Sequence, residues 1–427
     1  MTFEQLNFNN HLLNAITKSG YKEPTPIQSE AIPYLLEGKD MLGSAQTGTG
    51  KTAAFALPII HRLQETADFE AKRKAKALIL APTRELALQI RESFTLYSRN
   101  SSIKTVAIYG GVPKRKQIQS LKRGVDVIIA TPGRLLDLMS MKILDLSTIE
   151  YYVLDEADRM LDMGFIHDVK KITESISSKH QTMLFSATLP KSILDLSKTL
   201  LTQPVRVEVA KENTPLETIN QSMYYISKNN KEALLIDVLN NPSVESALVF
   251  VRTKQGANRL TKALNEAKVK ADAIHGNKTQ NQRQETLMRF KQKRTRILVA
   301  TDVASRGIDI NALSHVINYD LPETPETYLH RIGRTARAGS LGTSISFCSP
   351  EERHLVKAIQ NHIGMIIPVE SNHRFKLQST ERVSKKPKGL SNKGSKHNWK
   401  KNHKSSNCQY ASKRKKTFKK YTRVHAA

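Results

Sequence analysis

Short apolar runs recur along the chain, each closing on small or polar residues. The first series reads KALILAPT (76–83), TVAIYGG (105–111), VDVIIATPG (125–133), YYVLDEAD (151–158) and TMLFSAT (182–188). Runs this short fit strands buried on both faces. Amphipathic stretches such as RELALQIRESFTLY (84–97) lie between them and predict helices. The pattern then restarts with SALVFVRT (246–253), KADAIHG (270–276), RILVATD (296–302), HVINYD (315–320) and GTSISFCS (342–349). Strand and helix alternating in this way predict parallel sheets covered by helices. The chain therefore divides into two α/β domains, 1–208 and 219–370. A polar linker, 209–218, containing Pro215 joins them.

In open parallel sheets, ligands sit beyond the carboxyl ends of the strands. The strand ends here carry suggestive groups, and two such edges facing each other make a cleft. AQTGTGKT (45–52) follows the short run DMLGS and opens the helical pattern AAFALPIIHRL. This fits a phosphate-binding loop with Ala45 at the first glycine position. Gly48 and Gly50 let the backbone turn its N–H groups toward phosphate. Lys51 reaches the β- and γ-phosphates, and Thr52 offers a hydroxyl to magnesium.

That loop accounts for an otherwise costly cluster. Asp155, Glu156 and Asp158 lie together where an apolar run ends, and carboxylates that close repel one another and resist desolvation. A nucleotide site needs an acid at a neighbouring strand end for its metal, and Asp155 occupies such an end. Glu156 is placed to orient or deprotonate the attacking water. Asp158 lies too far along for either role and is expected to pair with another loop.

Composition adds a polyanionic partner. The 427 residues carry a net charge of +28, and 39% of them are apolar, as in a folded protein. From Ser371 to Ala427 there are 18 Lys and Arg against one acid, Glu381, so this tail holds +17 of that charge. It lacks apolar periodicity and is expected to be disordered. Phe375, Trp399, Tyr410, Phe418 and Tyr421 are scattered among its cations, which suits stacking on unpaired bases. No run is long enough for a membrane span, and MTFEQLNFNN does not read as a signal peptide. Two cysteines, Cys348 and Cys408, make neither a disulfide framework nor a zinc site. The expected setting is the cytoplasm.

Taken together with AQTGTGKT, the tetrapeptide DEAD (155–158) resembles the DEAD-box ATP-dependent RNA helicases. Further signatures stand in that family's order: GYKEPTPIQ (20–28) with Phe3 upstream, PTRELA (82–87), GG (110–111), TPGR (131–134), SAT (186–188), VFVRT (249–253), QNQR (280–283), ATDVASRGID (300–309) and HRIGRTARAG (330–339). The likeness covers about residues 1–360 of the chain. RMLDMGF (159–165) and the short basic tail look most like the bacterial RhlE-like group.

The resemblance implies two RecA-like domains in tandem, a nucleotide site for ATP with Mg2+, and RNA as partner. Its nucleotide contacts fall on Phe3, Tyr21, Gln28, the loop Ala45, Gln46, Thr47, Gly48, Thr49, Gly50, Lys51 and Thr52, and on Asp302 at the ribose. Gln28 can both donate and accept, which matches the N6 and N7 of adenine, and Tyr21 suits stacking on the base. Arg331, Arg334 and Arg337 are spaced to share one side of a helical turn. The resemblance makes Arg334 and Arg337 arginine fingers onto the γ-phosphate, with Asp309 supporting them. It gives RNA contacts to Thr83, Arg84, Gly111, Thr131 and Arg134 in the first domain. In the second it gives them to Arg252, Gly276, Gln280 and Thr301. Backbone N–H groups, hydroxyls and arginines hold phosphates without reading sequence. RhlE-like proteins imply ribosome assembly or RNA turnover as settings, with pre-ribosomal particles or RNA-decay machinery as partners. Two other classes stay open at this point: an RNA clamp or annealing chaperone working through the basic tail, and a DNA-directed helicase.

Overall fold

The computed structural model describes residues 1–45, 48–66, 73–99, 101–176, 179–209, 219–302, 313–336 and 341–375. These all belong to one compact unit, Met1–Arg382. Gln46, Thr47, Asp309 and Arg337 lie outside the described residues, as do the linker beyond Val209 and the tail beyond Phe375.

The first sheet is built from β1 (Met41–Ser44), β2 (Ala77–Leu80), β3 (Thr105–Ile108), β4 (Val127–Ala130), β5 (Tyr151–Leu154), β6 (Gln181–Ser186) and β7 (Val205–Glu208). Their order is β3-β4-β2-β5-β6-β1-β7, and every pairing is parallel. The second contains β8 (Ile219–Tyr225), β9 (Ala247–Phe250), β10 (Ala271–Ile274), β11 (Ile297–Ala300), β12 (His315–Asn318) and β13 (Gly342–Cys348). Its order is β10-β11-β9-β12-β13-β8, again parallel throughout. These are the two RecA-like halves that the family resemblance implies.

Alternation along each strand feeds two cores, one on each face. In β2, Ala77 and Ile79 join one cluster while Leu78 and Leu80 join the other. In β9, Ala247 and Val249 face one way and Leu248 and Phe250 the other. These two strands are apolar at every position, the pattern a helix-covered parallel sheet requires, whereas β6 and β12 also bury the polar residues Gln181, Thr182, Ser186, His315 and Asn318. The ten apolar runs read from the pattern correspond to β2–β6 and β9–β13. The edge strands β7 and β8 were not among them. Their burial alternates, so each half-exposed edge mixes polar with apolar residues and resembles a loop in one dimension.

The chain past the last helix packs onto the second half. His373 lies against Tyr224, Arg374 pairs with Asp237, and Phe375 packs on the core beneath β9. The opening residues of the basic segment therefore belong to the packed second half, because ring and guanidinium both find partners there.

Candidate nucleotide and RNA site

Sheet order assembles the nucleotide site. β6 lies between β1 and β5, so the loop after β1 and the acids after β5 emerge on either side of Ser186. Ala45 N–H donates to Ser186 O at 3.1 Å, and Asp155 N–H donates to Leu80 O at 3.0 Å. Helix α3 (Lys51–Glu65) opens at Gly50, whose φ is +95°. That conformation favours glycine. A Cβ there would also lie 2.4 Å from Gln28 Nε2 and 2.9 Å from Thr25 Oγ1. Lys51 is buried, and its Nζ donates to Ala45 O at 2.7 Å.

The three carboxylates have three different fates. Asp155 is buried, and burial pushes its carboxyl up to about 6 from 3.8; Lys51 pulls the other way, while Glu156 and Asp158 add repulsion. Glu156 caps the following short helix with a left-handed φ of 53°, an uncommon state for a residue with a side chain. Its Oε2 accepts from Arg159 Nη1 at 2.9 Å in an ion pair whose side chains are each 5% exposed. Asp158 accepts from Thr188 N–H at 3.1 Å and Thr188 Oγ1 at 3.0 Å. That is the pairing with another loop expected of it, and it ties the acidic turn to the SAT segment.

Two of these charges are compensated and one is only partly so. Asp155 is the carboxyl whose charge burial disfavours most, and a buried carboxylate at a strand end is where a hard divalent cation fits. The family resemblance implies Asp155 and Thr52 as the oxygen donors for Mg2+, and the burial of Asp155 fits that role. Among the described residues no group of three or more His, Cys, Asp or Glu side chains could hold a metal. A metal completed by substrate phosphates and water needs only one or two carboxylates.

The adenine-side residues are more committed than the pattern implied. Helix α2 (Pro26–Leu36) begins with a capping box between Thr25 and Gln28. Gln28 Oε1 accepts from Thr25 N–H at 3.0 Å while Nε2 donates to Gly50 O at 3.1 Å. One amide thus caps a helix and grips the phosphate loop. Tyr21 shares a 2.7 Å hydroxyl hydrogen bond with Tyr97 and meets Phe3 edge-on at 6.1 Å. Phe3 is a core side chain, only 3% exposed, and lies edge-on against Tyr21.

The two halves meet. A pocket is lined by Arg159 from the first half and by Phe250, Asp302, Thr327, His330, Arg331 and Arg334 from the second. Arg331 and Arg334 do not share one helical side. The helix α13 (Pro325–Ile332; numbered among the described residues) ends at Gly333, so Arg334 lies in the turn beyond it. Arg331 is fixed inside the second half: it forks onto both Asp302 oxygens at 2.6 and 2.8 Å, donates to Asn318 and Asp320 O, and lies over the Phe250 ring. Asp302 is consequently oriented from behind. Arg334 is buried.

The RNA-side residues of the first half sit at helix starts and glycine turns. Helix α4 (Arg84–Tyr97) is capped by the Thr83 hydroxyl, and Thr131 precedes α6 (Pro132–Ser140). Gly111 has φ +78°, and a Cβ on it would lie 2.0 Å from Arg84 Nη1. Arg134 donates to Val112 O at 3.2 and 3.3 Å. Arg134 therefore holds the Gly110–Val112 turn through Val112 O, and the Arg84 guanidinium lies against Gly111. In the second half, Gly276 and Arg252 are exposed, whereas Thr301 is buried at the end of β11. Gln280 is 2% exposed and spans the seam: its Nε2 donates to Glu85 Oε1 at 3.1 Å, beside Arg283, which pairs with the same oxygen at 2.8 Å. Glu85, Arg159 and Arg283 were not among the site residues read from the pattern. For Arg159 the only local signal was its i,i+3 spacing from Glu156.

Residues 25–196 match the model of the DEAD/DEAH box helicases and residues 230–339 that of the helicase conserved C-terminal domain. The chain belongs to the DEAD-box helicase family. It is 44% identical over 369 residues to the RNA helicase CrhR of Synechocystis, covering 86% of this chain and 74% of that protein. To the DEAD-box ATP-dependent RNA helicase CshA of Bacillus subtilis it is 41% identical, over 84% of this chain and 72% of the relative. Among solved structures, S. cerevisiae Dbp5 bound to RNA and ADP BeF3 superposes with a TM-score of 0.77 at 32% identity, over 86% of this chain and 95% of that one. No helix among the described residues is long and apolar enough to cross a membrane.

Proposed function

We propose that this ATP-dependent RNA helicase opens short duplexes locally, by closing the carboxyl edges of its two sheets around ATP and one RNA strand. The observation that supports this most directly is the pocket where Arg159, tied to Glu156, meets the Arg334 turn of the other half. Lys51 and the backbone around Gly48–Gly50 bind the β- and γ-phosphates, and Thr52 and Asp155 hold Mg2+. The metal supplies charge neutralisation on the phosphate oxygens. Glu156 accepts a proton from the attacking water. Arg334, with Arg337, stabilises charge on the γ-phosphate from the second half, and Asp302 meets the ribose.

Thr83, Gly111, Thr131, Arg252 and Gly276 contact RNA phosphates and sugars. Arg84 and Arg134 set the shape of that surface, and Gln280 with Arg283 couples it to the seam. Closure binds both ligands, so ATP and RNA raise each other's affinity by the same factor. The test is steady-state ATPase with and without RNA on the wild type and Lys51→Ala. Strong stimulation that vanishes in the variant is the expected result. Equal rates with and without RNA would shift the function to a clamp.

The basic tail favours a second contribution, sequence-independent RNA binding. A chain ending at Phe375 is expected to show a shallower salt dependence of RNA affinity; an unchanged slope removes the tail from the account. Ribosome assembly or RNA turnover, in the cytoplasm and with pre-ribosomal particles or decay machinery, is the setting the RhlE-like resemblance supports. The relatives compared carry the names CrhR and CshA, so that narrower grouping is a proposal too.

A further inference from the structure

In the second half, a buried lysine belongs to no part of the nucleotide site described above. Lys231 opens α10 (Lys231–Leu239) with its side chain 2% exposed. A buried ammonium has to be paired and fully hydrogen-bonded to remain charged. Its Nζ donates to Tyr319 O at 2.8 Å and to Glu352 Oε2 at 2.7 Å, lies 3.6 Å from Asp320 Oδ1, and sits over the Tyr319 ring. Both carboxylates it touches continue to the same residue. Glu352 Oε1 accepts from Arg252 Nη2 at 3.0 Å, and Asp320 Oδ2 accepts from Arg252 N–H at 2.9 Å.

We propose that Lys231, Glu352 and Asp320 are positioning residues for Arg252, holding it at the end of β9 so that its guanidinium is presented to an RNA phosphate. This rests on the reading of Arg252 as an RNA contact. One carboxylate grips the backbone of Arg252 and the other its head. Lys231 fixes both carboxylates from beneath.

The arrangement is complete on its buried side and open on the other. Glu352 is stapled to the loop after β13 by Ser349 N–H and Oγ, each at 3.0 Å, and Leu321 N–H reaches its Oε1 at 3.3 Å. Burial alone would raise the Glu352 carboxyl, but Lys231 and the Ser349 donors outweigh it and hold it below its ordinary value. The Glu352 carboxylate therefore stays ionised near neutral pH. Arg252 commits its Nη2 to Glu352 and to Leu321 O at 3.4 Å, while its side chain is still 48% exposed. A forked guanidinium fixed at one nitrogen has lost most of its freedom before it meets a phosphate, so less is lost on binding. The two cations and two anions balance, so the network has no need of a ligand of its own.

The experiment is a double-variant cycle on the full chain, with Arg252→Ala, Glu352→Gln and the pair. Four quantities are read: affinity for single-stranded RNA in the presence of a non-hydrolysable ATP analogue, KM for RNA in the ATPase reaction, kcat at saturating RNA, and thermal midpoint. Arg252→Ala is expected to weaken RNA roughly tenfold, the loss of one charge-assisted contact. Glu352→Gln is expected to raise KM for RNA several-fold with little change in kcat, and to add nothing when Arg252 is already Ala. If Arg252→Ala leaves RNA affinity unchanged, the contact reading itself fails. If Arg252→Ala weakens RNA but Glu352→Gln does so equally with and without Arg252, the effect does not pass through Arg252 and the positioning role is overturned. A fall in kcat matching the rise in KM would likewise mark a general loss of structure. Should Glu352→Gln fail to fold, Ser349→Ala removes one donor to the same carboxylate without altering charge and is subject to the same criteria, with a smaller shift.

Discussion

Both halves bury ionised groups at the carboxyl edges of parallel sheets, yet they balance them differently. In the second half, Lys231 and Arg252 meet Glu352 and Asp320, and Arg331 meets Asp302. Each of these charges has a protein partner. In the first half, three carboxylates face two cations: Arg159 is spent on Glu156, and Lys51 donates to Ala45 O. Asp155 is left as the acid whose charge burial disfavours most, its carboxyl raised to about 6. Complete networks hold a shape without help. A network one positive charge short is finished by a ligand, and the shortfall falls where a metal and a triphosphate would supply it.

The sharpest way to break the contrast is to remove a group that acts only when the ligand is present. Glu156→Gln is expected to lower RNA-stimulated ATPase by about 10² to 10⁴, the usual worth of a general base. It should leave ATP and RNA binding in place and trap a closed complex, seen as slow RNA release with ATP. Near-normal turnover would take the proton-accepting role away from Glu156.

The converse applies to a complete network, whose loss should appear in the free protein. Arg331→Met removes the guanidinium that donates to Asn318 Oδ1 and to Asp302, and Asn318 is fully buried. Breaking a fully buried pair from one side costs about 3–5 kcal/mol, and with Asp302 about a third exposed the loss should lie toward the lower end. Denaturant unfolding of the ligand-free chain should show that loss in the second half, and a variant as stable as wild type would mean that Arg331 is not structural.

The smallest effect tests the shortfall itself. The Asp155 carboxyl is raised from 3.8 to about 6 in the folded chain. Between those values the folded state keeps a proton that the unfolded chain has released. Without ligand, stability therefore falls as pH rises through that window and levels off above it, by at most about 3 kcal/mol. Asp155→Asn should flatten this dependence and be the more stable protein above the window. Unfolding at about pH 5 and about pH 7, without nucleotide or metal, decides it. A slope unchanged by the substitution would place the shortfall elsewhere.

Much of the architecture could be read from one dimension. Strands buried on both faces are mainly apolar, so β2–β6 and β9–β13 stand out as runs. The edges β7 and β8 do not, because exposed polar residues interrupt them, unlike the edges β3 and β10, which are mostly buried. The phosphate loop was equally plain, because Gly50, Lys51 and Thr52 work through local backbone geometry.

Partner choice among polar side chains was not readable in that way. Gln28 turns its amide to Thr25 and Gly50, Gln280 reaches Glu85 across the seam, and Arg331 turns inward while Arg334 lies beyond the helix end. By itself the sequence determined the strands, the alternation of sheet and helix, and which residue types gather at the strand ends. These follow from periodicity and local chemistry. Only the tertiary structure decided which of those groups face a ligand and which face each other. A hydrogen bond or ion pair forms between side chains that sheet order brings within about 3 Å, and nothing local in the chain records that order.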